Sequence, residues 1–289
     1  MKLIDTHCHL NFNAFKGDFL SVVKMARDLG IDKIIIPGSN IDNSISAVKM
    51  AKDLNEKFGA NFAAAGIGIH PVHADELEKF SEIERLAPDA VAIGECGFDF
   101  YHDKEKKTKN EQEKLFRRHI DLALKFNLPL ICHNREADEE ILEVLESFKK
   151  LPKIVFHCFS SDWKFAEVIL DKGFYLSFTG NITYGNKTLK KVIERAPLEK
   201  ILIETDAPYI VPEPLRSQGI HPVRENNDTE LVSSTHPQEN AESFSNGVKR
   251  NEPAHVLEVA KKIAEIKCLN LEKVAEATTQ NAKEFFKLG

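Results

Sequence analysis

No apolar run in this 289-residue chain approaches the roughly 18 residues that cross a bilayer, so no membrane span is expected. Cys-x-x-Cys pairs are absent, and the five cysteines, Cys8, Cys96, Cys132, Cys158 and Cys268, are odd in number. Both facts argue against a disulfide framework or a thiolate zinc site, and for a reducing cytoplasm. A basic excess is missing too: 39 Lys and Arg stand against 45 Asp and Glu, a formal charge of −6. A nucleic-acid partner would therefore have to be met by a local patch and not by a chain-wide field. The N-terminus reads as a strand, Met1-Lys2-Leu3-Ile4-Asp5-Thr6-His7, and not as a signal peptide. What is present is an ordinary globular composition, 42% hydrophobic and 29% charged.

Short apolar segments alternate with amphipathic ones along the chain. Strands are predicted over 3–6, 33–37, 62–69, 90–94, 128–132, 153–157, 174–178 and 200–205. Helices are predicted over 18–29, 42–57, 75–86, 111–126, 137–148, 163–170, 187–195, 253–266 and 271–286. Runs such as Ile34-Ile35-Ile36 and Ile201-Leu202-Ile203 are apolar on both faces, as in parallel strands covered by crossover helices. The pattern predicts an α/β fold, a TIM-type (β/α)8 barrel in a single domain, for which about 250 residues suffice. One polar segment, 211–249, carries neither period and is expected to be a flexible insertion after strand eight.

Metal-capable residues fall at predicted strand ends: His7 and His9 after the first, Glu95 after the fourth, His133 after the fifth, His157 after the sixth and Asp206 after the eighth. In a β/α barrel the C-terminal strand ends converge on one mouth. Alternation along a strand sends His7 and His9 to one side and Cys8 to the other. Imidazole and carboxylate donors suit zinc, manganese, iron or nickel. Six donors exceed one tetrahedral site, which points to two ions sharing a bridging carboxylate. By the same alternation, Cys8, Cys96, Cys132 and Cys158 should face the helix layer as small buried thiols.

Seven motifs resemble the TatD family of metal-dependent deoxyribonucleases, in that family's order and across nearly the whole chain. They are Asp5-Thr6-His7-Cys8-His9-Leu10, Gly68-Ile69-His70-Pro71, Ile93-Gly94-Glu95-Cys96-Gly97-Phe98-Asp99, His133-Asn134-Arg135, Phe156-His157-Cys158-Phe159-Ser160, Glu204-Thr205-Asp206-Ala207-Pro208 and Arg250-Asn251-Glu252-Pro253. The resemblance implies an amidohydrolase-type barrel with two divalent ions, magnesium, manganese or zinc. It places His7, His9 and Asp206 on one ion, His133 and His157 on the other, and Glu95 between them. It also implies DNA hydrolysis, in some members with 3′-to-5′ exonuclease character, on single strands or 3′ ends. The 211–249 link is longer than the family's usual one, so substrate choice is where this chain is expected to depart.

Phosphodiester cleavage by a water held between two ions is the expected chemistry, with Asp206 as the base and Glu95 as the bridge. Arg135, two residues past His133, is placed either to grip phosphate or to pair with a helix. His70 could donate to phosphate or make a structural hydrogen bond, and Asp99 could orient a ligand or cap a loop. The run Lys104-Glu105-Lys106-Lys107-Thr108-Lys109 is either a backbone-attracting patch or a solvated surface. Phe100 and Tyr101 could stack on an unpaired base or pack against the following helix. Two other readings stay open: an amidohydrolase-type enzyme for a small-molecule amide or ester, and a non-catalytic metal-containing nucleic-acid-binding protein. No motif points to an obligate protein partner.

Overall fold

A computed structural model describes residues 1–221 and 250–289. Eight parallel strands form one sheet in chain order: β1 Leu3–Asp5, β2 Ile31–Pro37, β3 Ala63–Ile67, β4 Ala92–Asp99, β5 Leu130–Arg135, β6 Ile154–Phe156, β7 Tyr175–Phe178 and β8 Ile201–Ile203. Between them run α1 Phe19–Asp28, α2 Ile41–Phe58, α3 Ser81–Leu86, α4 Lys109–Phe126, α5 Asp138–Glu146, α6 Trp163–Asp171 and α7 Lys187–Arg195. The helices α8 Val256–Lys267 and α9 Leu271–Phe286 follow. Backbone bonds close the ring from β1 to β8: Thr6 N–H donates to Ile203 at 3.2 Å, Asp206 N–H to His7 at 2.8 Å and His9 N–H to Ala207 at 2.8 Å. This is the TIM barrel that the eight alternations predict. Among the described residues no helix is long and apolar enough to cross a membrane.

The barrel interior is a separate apolar cluster. Ile4, Ile35, Ala92, Ile131, Val155, Tyr175 and Leu202 point inward from their strands, and Phe285 and Phe286 at the end of α9 pack against them. That plug closes the N-terminal end, so only the other end can hold a site. The remaining core lies between strands and helices, and Cys8, Cys96 and Cys132 belong to it. Helix starts are written locally. Asn40, Asp162 and Asn270 each accept a backbone N–H three residues on, opening α2, α6 and α9.

Two expectations need correction, and a third is only partly described. The helix predicted over 75–86 is broken: a 3-10 segment, Pro71–Lys79, kinks at His73 before α3 begins. β4 does not stop at Gly94 but runs to Asp99, with a register shift between Ile93 and Cys96. The insertion expected over 211–249 is described only to 221. There it packs down at first, since Val211 is buried and its carbonyl accepts from Tyr184 Oη at 2.7 Å. Residues 222–249 lie outside the described residues.

Candidate metal centre

Period two carries the interior pattern up to the barrel mouth. Two residues above Ile131, Val155 and Leu202 stand His133, His157 and Glu204, all turned inward. β4 reaches the same layer differently. From Ala92, strict alternation would send Glu95 outward. Against β5, however, β4 spends three residues from Ile93 to Cys96 where β5 spends two from Leu130 to Cys132. That bulge rotates Glu95 inward and leaves Cys96 facing the helices. Only glycine fits before it: Gly94 has φ +136°, and a Cβ there would lie 2.8 Å from the Cβ of Ile131.

The Glu95 carboxylate divides two groups of donors. Its Oε2 lies 3.5 Å from His7 Nε2 and 3.8 Å from His9 Nε2. Asp206 Oδ1 is 3.6 Å and 3.5 Å from the same two nitrogens, which are 3.2 Å apart. On the other side, Glu95 Oε1 lies 2.9 Å from His133 Nδ1, 2.8 Å from His157 Nε2 and 3.5 Å from His70 Nε2. His157 also stacks on His7, with ring centroids 4.2 Å apart, so it stands between the groups. His70, expected either to donate to phosphate or to make a structural hydrogen bond, makes the latter, its Nδ1 accepting the Val72 N–H at 3.2 Å, while its Nε2 joins Glu95 and His133 in a cluster able to hold an ion.

Donor spacing tests whether a cation fits. Four ligands around zinc at about 2.0–2.1 Å would be separated by tetrahedral edges of about 3.3 Å. The five separations among His7, His9, Glu95 and Asp206 run from 3.2 to 3.8 Å. The donors fit divalent cations, and the cluster is one that could hold a metal ion.

Electrostatics agree. Burial pushes the Glu95 carboxyl up, but the charges of His157 and His70 and hydrogen bonds from His133 and His157 outweigh it and hold Glu95 well below the usual range. Asp206 is lowered likewise, against burial, by His9 and His7. Burial and the neighbouring His157 lower His7, while burial and His133 lower His70. Burial opposes charge on His157, yet Glu95 and Glu204 raise its pKa well above normal. Ionised Glu95 and Asp206 and neutral His7 and His70 are what a divalent cation takes, while His157, and His133 raised against burial by Asp99 and Glu95, would give up a proton on binding one.

Around this floor is a cavity of about 570 Å³, lined among others by Asp99, His102, Asn134, Arg135, Phe12 and Tyr209. Asp99 Oδ2 meets His133 Nε2 at 3.3 Å and His102 Nδ1 at 2.8 Å, while Oδ1 caps the loop by accepting the backbone N–H of His102. Arg135 faces the cavity with its guanidinium 3.9 Å from the centre of the Tyr101 ring. Phe100 is buried and Tyr101 is exposed, so the two aromatics part company. The lysine run is largely neutralised: Lys106 and Lys109 both reach Glu140, and Lys107 reaches Glu105. Cys158 departs from the other thiols. At φ +44° it leaves the strand alternation and lines the cavity, half-buried, with Sγ 3.7 Å from Thr179 Oγ1.

Sequence reasoning missed Glu204. It is 1% exposed and accepts from Cys158 N–H and Ser177 Oγ, each at 2.6 Å, beneath His157 Nδ1 at 3.7 Å. Its signal was there: it lies two residues past an inward leucine. Asn251 was also missed. Its amide donates to Thr205 at 2.9 Å and Ile210 at 3.1 Å, pinning the chain on either side of Asp206.

A clustered donor set at the open end of a plugged barrel is the arrangement of a metal-dependent barrel enzyme. Comparison with known proteins narrows the class. A family model described as TatD related DNase matches residues 4–287, and the chain belongs to that family. A metal-dependent hydrolase of Bacillus subtilis, YabD, is 33% identical over 99% of both chains. The 3'-5' ssDNA/RNA exonuclease TatD of Shigella flexneri is 31% identical over 98% of both. The crystal structure of YJJV, a TatD homolog from Escherichia coli, shares the fold at a TM-score of 0.80 and 24% identity, covering 99% of this chain and 98% of that one.

Proposed function

We propose that this hydrolase is a deoxyribonuclease that removes nucleotides from unpaired 3′ ends of DNA in the cytoplasm, using two divalent ions, magnesium, manganese or zinc. The observation that carries this is the split of the Glu95 carboxylate between His7–His9–Asp206 and His133–His157, at the floor of a cavity that has Arg135 on its wall. Ions of this kind supply Lewis acidity to a phosphoryl oxygen and ease deprotonation of water. Asp206, held ionised beside His7 and His9, takes the proton of the attacking water. Arg135 presents a guanidinium that can grip a phosphate through two N–H groups. Asp99 orients His133 from behind, and the Glu204 carboxylate, 3.7 Å from His157 Nδ1, acts on that ring by its charge. The Shigella relative's name supports DNA or RNA as substrate. Five free thiols agree with a reducing compartment.

The test is one assay with internal controls. The full chain is incubated with single-stranded DNA, duplex DNA and RNA in magnesium, manganese or chelator, beside Asp206→Asn and Glu95→Gln. Release of mononucleotides from single-stranded 3′ ends is expected, lost with chelator and in both variants. Amide or ester turnover without any nucleotide release would replace this reading with a small-molecule hydrolase.

A further inference from the structure

The cavity above the metal donors differs in chemistry from one side to the other. In a barrel whose eight strands follow chain order, β1 lies across from β5. The loops after β1 and β8 contribute Phe12, Tyr209 and Ile210 to the cavity. The opposite wall, from the ends of β4 and β5, contributes Asp99, His102, Asn134 and Arg135. One wall is thus aromatic and the other is charged, with the metal donors between them.

The aromatic wall has a defined geometry. The Phe12 ring stacks on the His9 imidazole, centroids 4.3 Å apart and planes 17° from parallel. Tyr209 stands edge-on to both, 6.3 Å and 72° from Phe12 and 6.2 Å and 67° from His9. Two rings near a right angle make a corner that offers a π face and a ring edge together. Core phenylalanines such as Phe15, Phe98 and Phe116 are fully buried, whereas Phe12 and Tyr209 are only partly buried and border the cavity. Apolar rings beside a polar floor suit a flat heteroaromatic group, which can stack on one ring and meet the edge of the other.

Resting on the nuclease reading above, we infer that Phe12 and Tyr209 form the pocket for the base of the 3′-terminal nucleotide, while the rest of the strand leaves along the Arg135 wall. Phosphate then sits over His7, His9, Glu95 and Asp206, adjacent to the corner through His9. A base can enter the corner only when unpaired, because its pairing edge and both faces come within the cavity. The corner therefore selects single-stranded ends and reads a base's presence, not its identity, since every base has a π face.

The experiment removes the base instead of relying on the protein variant alone. Two single-stranded DNA oligonucleotides are compared, one ending in an ordinary 3′ nucleotide and one in a 3′ tetrahydrofuran abasic residue. Each is assayed with wild type, Phe12→Ala and Phe12→Trp in magnesium, with bound metal measured for each protein. Wild type should show a KM about tenfold higher for the abasic end. Phe12→Ala should raise KM about tenfold on the ordinary end and leave it unchanged on the abasic end, and Phe12→Trp should stay near wild type. Equal losses on both ends, with or without lost metal, would overturn the inference and assign Phe12 to holding His9. If wild type releases no nucleotide from either oligonucleotide yet hydrolyses bis(p-nitrophenyl) phosphate, the nuclease reading itself fails and this inference with it.

Discussion

Asp5 Oδ2 accepts a 2.6 Å hydrogen bond from Thr205 Oγ1, tying the end of β1 to the end of β8 across 200 positions of sequence. Asp5 Oδ1 accepts the backbone N–H groups of Thr205 at 2.9 Å and His7 at 3.3 Å. Asp206 follows Thr205 directly and His7 lies two residues past Asp5, so one buried carboxyl closes the barrel and spaces two candidate metal-facing groups. Asp5→Ala would strand buried donors, each costing about 1–3 kcal/mol. We expect a loss of about 3 kcal/mol in urea unfolding together with weaker metal retention. Asp5→Asn keeps the Oδ1 acceptor and should recover about half of the lost stability. Equal losses in the two variants would show that the acceptor geometry is not what matters.

Bound metal should be visible as stability. A ligand that binds only the folded chain stabilises it by about 2.7 kcal/mol at a hundredfold excess over its Kd. Chelator should lower the melting temperature, and magnesium, manganese or zinc should restore it. Glu95 touches both donor groups, so Glu95→Gln should remove most of this response. His70→Ala, which touches Oε1 alone, should remove only part. A full metal response in Glu95→Gln would contradict the bridging role.

Much of this was legible in the sequence, and the reason differs from residue to residue. His133 and His157 lie two residues past the inward Ile131 and Val155, so alternation alone turns them to the mouth, whereas His7 and His9 are out of step with the inward Ile4 and reach it because β1 ends at Asp5. Glu95 sat at the right place for the wrong reason. It was expected at the end of a strand that in fact continues to Asp99, and it faces inward because of a bulge that no periodicity announces. Cys158 shows the converse: its left-handed backbone breaks the alternation that holds for Cys8, Cys96 and Cys132. The lysine run after β4 could be read either as a patch for the DNA backbone or as a solvated surface. Its compensation by Glu140 depends on α5, which sequence spacing does not bring near. Phe12 and Tyr209 are nearly 200 positions apart, and only ring closure makes them neighbours.

The bulge makes Gly94 a sensitive position. Its φ of +136° is open to glycine, and an added Cβ would press on Ile131 from the adjacent strand. Gly94→Ala should cost about 2 kcal/mol or more through backbone strain and overpacking. The specific expectation concerns function: displacing β4 moves Glu95, so metal content should fall even at temperatures where the variant remains folded. Circular dichroism and metal analysis on the same sample check this. A folded, fully metallated Gly94→Ala would show that Glu95 reaches the site without the bulge.

Acid should weaken the fold through His119, a residue away from the metal donors. It is fully buried on α4, with Nε2 accepting the backbone N–H of Ile69 at 3.0 Å and Nδ1–H donating to the Leu115 carbonyl at 2.8 Å. Burial pushes its pKa from about 6.5 down to about 4. Between those values the unfolded chain carries a proton on His119 that the folded chain does not. Unfolding then takes up protons, so stability falls as pH drops from about 6.5 towards 4, by about 3 kcal/mol in all. Above pH 6.5 both states are neutral and this contribution is constant. Protonation would also remove the acceptor for Ile69, whose neighbour His70 faces Glu95, so acid loosens the end of β3 at the donor cluster. His119→Gln offers an uncharged acceptor and donor in a similar shape. It should be less stable than wild type at pH 7, because the fit is poorer, yet lose less between pH 7 and pH 4.5. Urea midpoints for both proteins at the two pH values decide the matter: parallel losses would place the acid sensitivity elsewhere.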